Sequence, residues 1–201
     1  MEDDSSTLVS QEGPLTQFEL WFAEASEAGV PMPEAVGLAT VNSAGRPAVR
    51  MVLYKGMSDG GLTFFTNYTS RKARHIEGNG HAAMVFHWKP LERQVRIEGS
   101  VERLTDEQSD AYFETRSRAS QIAATASLQS RPFKNRSQLL ARYREIEARF
   151  KDCDVSRPDF WGGYRLVPDR VEFWAERPHR LHDRLEYRRR GDGWECSRLQ
   201  P

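Results

Sequence analysis

VGLATVNSAGRPAVRMVLYK, residues 36–55, reads as two strands and the turn between them. Residues 36–41 form a short apolar run, and NSAGR at 42–46 supplies turn chemistry. Residues 47–55 then alternate with a period of two, with Val49, Met51 and Leu53 on one face and Arg50, Val52 and Tyr54 on the other. Two strands joined by so short a connection pair antiparallel. Strict alternation also sends Arg50 and Lys55 to opposite faces, where they serve different groups unless a bulge intervenes.

The same grammar continues outward. Asp59, Gly60 and Gly61 are hairpin residues that lead into a strand at 62–67. Further strands are expected at 82–88 and 93–104, the latter alternating Val95, Ile97 and Val101 with Gln94, Arg96 and Glu98. After Pro158, strand patterns fall at 161–167, 170–174 and 185–190, the last paired through Gly191, Asp192 and Gly193 with 194–199. Helical spacing interrupts this series. Thr16 and Glu19 read as a capping box ahead of Phe18, Phe22 and Ala25, and Gly29 ends that helix. Ser70 caps a helix over 70–78, Thr105 with Gln108 opens another that carries Tyr112 and Arg116, and Leu139, Tyr143, Ile146 and Phe150 mark a fourth. Residues 123–132 read as a loop or short helix. The fold class is mainly antiparallel β with helices (α+β), closed as a barrel. Strands and helices do not alternate strictly, which argues against a Rossmann sheet, and with no G-x-G-x-x-G or phosphate-loop motif nothing suggests a dinucleotide or triphosphate cradle of those kinds. The expected division is a flexible N-terminal arm at 1–13 and a single domain at 14–201.

Twenty-nine basic and twenty-nine acidic residues cancel, so no global field recruits nucleic acid or an anionic membrane, and any anion site is local. No apolar run reaches transmembrane length and the acidic start lacks a signal-peptide pattern, giving a cytoplasmic expectation. Cys153 and Cys196 stand alone, without the spacing of a metal site.

Three groupings suggest chemistry. Arg71 and Lys72 occupy the first turn of a helix, where the dipole disfavours cations; either an anion compensates there, the reading the placement favours, or the two are solvated on a surface helix. Tyr112, Arg116, Arg118, Ser120 and Gln121 gather donors near one helix end, either as a second phosphate clamp or as ordinary helix-end polar groups. WAERPHRLHDR at 174–184 concentrates cations and histidines; if Arg180, His182 and Arg184 face one way along a strand, they line something anionic and aromatic, and otherwise they form a solvated charged edge. Gln94 on a polar strand face either meets a heteroaromatic edge or is an ordinary exposed glutamine.

RMVLYK (50–55), FFTN with SRK (64–72), ERQVRIEG (92–99), YFETR (112–116), LQS, FWGGYR, EFW and RLHDR, in this order, resemble pyridoxine/pyridoxamine 5′-phosphate oxidase over nearly the whole chain. The resemblance implies an FMN-binding split β-barrel working as a homodimer, with FMN at the subunit interface. It implies cofactor contacts from Arg50, Met51, Val52, Leu53, Tyr54, Lys55, Phe65, Thr66, Arg71, Lys72, Gln94, Gln129, Ser130, Trp174 and Arg184. Substrate contacts would come from Lys55, Tyr112, Arg116 and Ser120 around the phosphate, with Arg180 and His182, the residues implied at the reacting end, near the pyridine ring. The implied reaction is hydride transfer from C4′ of pyridoxine or pyridoxamine 5′-phosphate to flavin N5, with O₂ reoxidising the flavin to give H₂O₂. The chain departs from the family pattern in three places. Its arm lacks the Arg and Tyr of longer members, Met32 stands where many relatives have Asp, and Ala123 and Thr125 replace a glycine and a tryptophan. Two other readings compete: a related flavin oxidase acting on another aromatic acid, such as a phenazine-pathway enzyme, and a flavin- or pyridoxal-phosphate-binding protein with little turnover.

Overall fold

The computed structural model describes residues 13–201, so the expected arm lies outside the described residues apart from Gly13. Nine strands among these residues form one sheet: β1 (Ala35–Val41), β2 (Pro47–Leu53), β3 (Met57–Ser58), β4 (Gly61–Asn67), β5 (His81–Trp88), β6 (Arg93–Arg103), β7 (Trp161–Ala175), β8 (Asp183–Arg190) and β9 (Gly193–Arg198). Their order is β2-β1-β5-β6-β7-β4-β3, with β8 added to β7 and β9 to β8. Every pairing is antiparallel. The β1–β2 hairpin has the expected register, and Asp59 and Gly60 turn β3 into β4 with positive φ at both positions, the backbone that a two-residue hairpin needs. The two-residue strand β3 is too short to have left a periodic signal.

Two boundaries differ from the sequence expectation for reasons the backbone makes plain. β2 ends at Leu53; Tyr54 N–H then donates to Glu34 O, while Lys55 N–H donates to Thr63 O and Thr63 N–H to Gly56 O. The chain thus crosses from one end of the sheet order to the other, drawing β2 and β4 together as in a split barrel. Parity stops at Leu53 and does not govern Lys55. β7 runs unbroken through Pro168, where two strands were expected. The register shifts between Glu98 and Gly99, so that Gly99 opposes Pro168, which has no N–H to give, and Asp169 is the extra residue of a bulge. Gly99 permits this approach: a Cβ there would lie 2.0 Å from Val167 O.

Among the described residues five α-helices decorate the sheet: α1 (Pro14–Glu27), α2 (Arg71–Asn79), α3 (Asp106–Thr115), α4 (Arg118–Ala126) and α5 (Arg136–Arg149). α1 starts at Pro14, not at a Thr16 cap, because proline is preorganised for the first helical position and loses no hydrogen bond there. Gly29 follows it at φ 69°, the left-handed conformation that ends a helix. Phe18 of α1 is fully buried and packs with Phe22 against Tyr54, Phe86 and Trp88. Removing it to alanine would cost about 3–5 kcal/mol. The α2 and α3 caps form as expected: Ser70 Oγ accepts from Ala73 N–H, and the Thr105–Gln108 capping box is complete. α4 is an additional helix, capped by Ser117. Its Ile122 and Ala124 join Phe113, Val155 and Trp161 in a second, smaller core, against which α5 lays Tyr143 and Ile146, with Phe150 at its C-cap.

Candidate functional site

Between β2 and β4, beyond the point where their backbones meet, lies a cavity of about 320 Å³. Arg50, Met51, Val52 and Leu53 line it from β2 and Lys55 from the crossing; Phe65 and Thr66 come from β4, Lys72 from α2, Tyr112 and Arg116 from the end of α3, Gln129 from the loop after α4, and Trp161 from β7. Lys55 and Arg50 therefore line one cavity, although strand parity would send them to opposite faces.

The wall combines four cations with no carboxylate among the described residues. Lys72 is 9% exposed, and its ammonium donates to two neutral oxygens, Thr66 Oγ1 at 2.9 Å and Gln129 Oε1 at 3.0 Å. Burial, and then the neighbouring Arg50 cation, push it down to about 8. Arg50 donates from Nη1 to Leu38 O at 2.9 Å and Thr40 Oγ1 at 2.7 Å; burial, and then Arg71, lower its pKa. Arg116, lowered chiefly by burial with Tyr112 opposing, keeps a buried Nη1 with no partner. A desolvated guanidinium nitrogen without an acceptor is costly, and an anion in the cavity would relieve that cost.

The rest of the wall is aromatic. Phe65 and Tyr112 stack at 3.7 Å between centroids and 15° between planes, Trp161 continues the stack at 5.6 Å from Phe65, and the Arg116 guanidinium lies 4.6 Å over the Trp161 ring. Trp161 was missed as a site residue, although the FWGGYR motif contains it. The arrangement can hold a flat aromatic molecule bearing a phosphate.

Other expected residues fall elsewhere. Arg71 is exposed at the start of α2, beside Arg50. The Tyr54 side chain is a core residue, 6% exposed, so only its backbone remains available to a ligand. Ser120 lies in the first turn of α4 with its hydroxyl 2.8 Å from Ser117 Oγ, outside the cavity lining. Ser130, at φ 68°, lines an adjoining apolar groove that shares Gln129 with the cavity. Ala123 and Thr125 both sit in α4, where Thr125 Oγ1 donates to Gln121 O; Met32 is exposed at φ 49°.

Gln94, Trp174, Arg180, His182 and Arg184 do not line the cavity of their own chain. Nor does 174–184 continue as one strand: Pro178–Arg180 is a 3₁₀ turn, because proline cannot extend the ladder, and His179 and Arg180 both have left-handed φ (60° and 64°). Arg180 is exposed at the tip, so alternation cannot align it with His182 and Arg184. The return strand is ordered. Gln94 opposes Trp174, which opposes Arg184. Arg184 Nε donates to the buried Glu172 at 2.8 Å, which raises its pKa. His182 packs 4.7 Å from Trp174, and its Nδ1 accepts from Arg177 N–H, which places the ring proton on Nε2.

Comparison with known proteins gives a consistent family. The family described as pyridoxamine 5′-phosphate oxidase matches residues 22–150, and that described as the pyridoxine 5′-phosphate oxidase C-terminal dimerisation region matches 161–201. The chain is 53% identical over 188 residues to a pyridoxine/pyridoxamine 5′-phosphate oxidase of Rubrobacter xylanophilus, covering 94% of this chain and 87% of the relative. It is 52% identical to one of Coxiella burnetii, covering 94% and 95%. Among solved structures, PhzG from Burkholderia lata in complex with tetrahydrophenazine-1-carboxylic acid superposes with a TM-score of 0.89 at 36% identity, covering 94% and 92%. An FMN-binding protein of Nostoc punctiforme, described as related to pyridoxamine 5′-phosphate oxidase, shares the fold at a TM-score of 0.77 and 18% identity, covering 96% and 100%.

Proposed function

The chain belongs to the pyridoxine/pyridoxamine 5′-phosphate oxidase family of FMN-dependent oxidoreductases, and from that premise we propose that it oxidises pyridoxamine 5′-phosphate and pyridoxine 5′-phosphate to pyridoxal 5′-phosphate in the cytoplasm. The observation that carries this reading is the cavity wall of four cations, no carboxylate among the described residues, and a stacked aromatic floor. FMN fits its donor set. Arg50 and Lys72, with the first-turn N–H groups of α2, would hold the FMN phosphate, while Thr66 and Gln129 would keep Lys72 aimed at it. Lys55, Tyr112 and Arg116 would hold the substrate phosphate, the orphaned Arg116 Nη1 acquiring its missing acceptor.

Bound FMN would supply the two-electron acceptor, taking a hydride from the substrate C4′ and passing the electrons to O₂ as H₂O₂. The amine substrate loses a hydride and a proton to become an imine, and water then releases ammonia and the aldehyde; the alcohol yields the aldehyde directly. The protein's share is orientation and charge. His182 has Nδ1 engaged by Arg177 N–H, so it would present Nε2–H as a donor to an acceptor on the pyridine ring and would not take the substrate's proton.

Arg180, His182, Gln94, Trp174 and Arg184 are absent from the cavity of their own chain, and we place them in the partner's cavity within a homodimer. Two features support this. The outer face of β2 leaves Val49 71% and Met51 65% exposed on a strand at the end of the sheet order, and residues 161–201 match a dimerisation region. The similarity to PhzG favours a second reading, oxidation of a tricyclic aromatic acid. The cluster of Lys55, Tyr112 and Arg116 suits a phosphate ester better than a carboxylate alone. The test is to purify the protein, look for retained yellow flavin, and supply pyridoxamine 5′-phosphate in air. Pyridoxal 5′-phosphate and peroxide are expected together; bound FMN without turnover would leave a binding protein instead.

A further inference from the structure

Behind Arg50 stand two buried polar side chains to which the proposed reaction gives no role. Thr40, on β1, is 1% exposed, and His75, on α2, is 7% exposed. Arg50 Nη1 donates to Leu38 O at 2.9 Å and to Thr40 Oγ1 at 2.7 Å, while Thr40 Oγ1 lies 3.2 Å from His75 Nδ1. A threonine hydroxyl has one proton. Its oxygen accepts from Arg50, and with that proton directed at His75, Nδ1 is the acceptor and the ring proton sits on Nε2.

We propose that Thr40 and His75 are positioning residues for Arg50: His75 Nδ1 fixes the Thr40 hydroxyl so that its lone pair faces Arg50, and Thr40 with the Leu38 carbonyl engages both Nη1 protons. Of the five guanidinium protons, the three on Nε and Nη2 remain for an anion in the cavity. The choice of partners matters electrostatically. A carboxylate would hold Arg50 equally well but cancel its charge, whereas a carbonyl and a hydroxyl fix the guanidinium and leave its charge to the ligand. His75 also sits on the helix that carries Lys72, so one buried contact sets the spacing between two cations of the cavity.

This inference rests on the reading of Arg50 as an FMN contact, and two measurements separate the two claims. In the ¹⁵N-histidine-labelled holoprotein, long-range proton–nitrogen correlation should show His75 with an unprotonated, hydrogen-bonded Nδ1 and a proton on Nε2. A proton on Nδ1 would overturn the assignment whatever the ligand. In FMN titrations followed by flavin fluorescence, Thr40→Val should weaken binding by about ten- to a hundredfold, the range for a hydrogen bond to a charged group. Thr40→Ser should restore it, and His75→Asn, whose Oδ1 can replace Nδ1, should bind more tightly than His75→Leu. Equal affinity in Thr40→Val and wild type, or no rescue by Thr40→Ser, would overturn the positioning role. If Thr40→Val fails to fold, the His75 pair and the spectrum decide. Failure of wild-type protein to bind FMN would instead overturn the reading of the cavity.

Discussion

Raising the pH should weaken FMN binding through Lys72. In the free protein Lys72 is buried among neutral oxygens beside Arg50, and its pKa falls from the usual 10.5 to about 8. A bound phosphate favours the charged ammonium and lifts that pKa again. The bound-state value thus lies above the free-state value, so the stabilisation is complete below about pH 8 and is lost as pH rises toward the bound pKa. A full unit in that window is worth about 1.4 kcal/mol, but Lys72 is half-titrated at its free pKa, so the dissociation constant should rise about fivefold from pH 8 to pH 9. The assay is fluorescence titration of apoprotein with FMN at constant ionic strength, between about pH 7 and pH 9.5. Lys72→Met should bind more weakly at neutral pH and lose the slope. Either a flat wild-type profile or an unchanged slope in Lys72→Met would refute the assignment of Lys72 to the cofactor phosphate.

Other consequences concern the division of labour and the fold. Arg116→Ala should raise KM for pyridoxamine 5′-phosphate at least about tenfold, the cost of one charge-assisted contact, while FMN affinity stays within about threefold; steady-state kinetics and flavin titration read the two separately. Arg180→Ala should cut turnover or substrate affinity and spare FMN. Mixing Arg116→Ala and Arg180→Ala protomers should then restore about a quarter of wild-type activity, because half of the random dimers carry one intact site; no recovery would place both residues in one chain's site. Gly99→Ala should lower stability by about 3 kcal/mol or more, since its Cβ would meet the Val167 carbonyl at 2.0 Å, and a thermal melt would show it.

Much of the fold was legible because its signals are local. The β1–β2 turn, the Asp59–Gly60 hairpin and the Ser70 and Thr105 caps each depend on a few adjacent residues. Misreadings arose where distant backbone intervened. The β7 ladder survives Pro168 only because Gly99, far away in sequence, accepts a bulge. Lys55 escapes strand parity only because Thr63 captures its N–H. For the candidate site, residue types pointed to the anion-binding halves, and the structure brings Arg50, Lys55, Lys72, Tyr112 and Arg116 to one cavity. Alternation failed for 174–184, since Pro178 and two left-handed residues replace the strand it assumed. Trp161 escaped notice because a tryptophan at a strand start carries no mark distinguishing a cavity wall from core.

The most direct test of the central claim is anaerobic mixing of FMN-loaded protein with pyridoxamine 5′-phosphate in a stopped-flow spectrophotometer. The flavin's visible absorption should bleach in a single turnover and return on admitting O₂, with one peroxide and one pyridoxal 5′-phosphate formed per flavin. Unphosphorylated pyridoxamine should bleach it far more slowly, because the cluster of Lys55, Tyr112 and Arg116 then has nothing to hold. No bleaching by pyridoxamine 5′-phosphate or pyridoxine 5′-phosphate, with rapid bleaching by a tetrahydrophenazine acid, would contradict the account and assign the cavity to a different aromatic substrate.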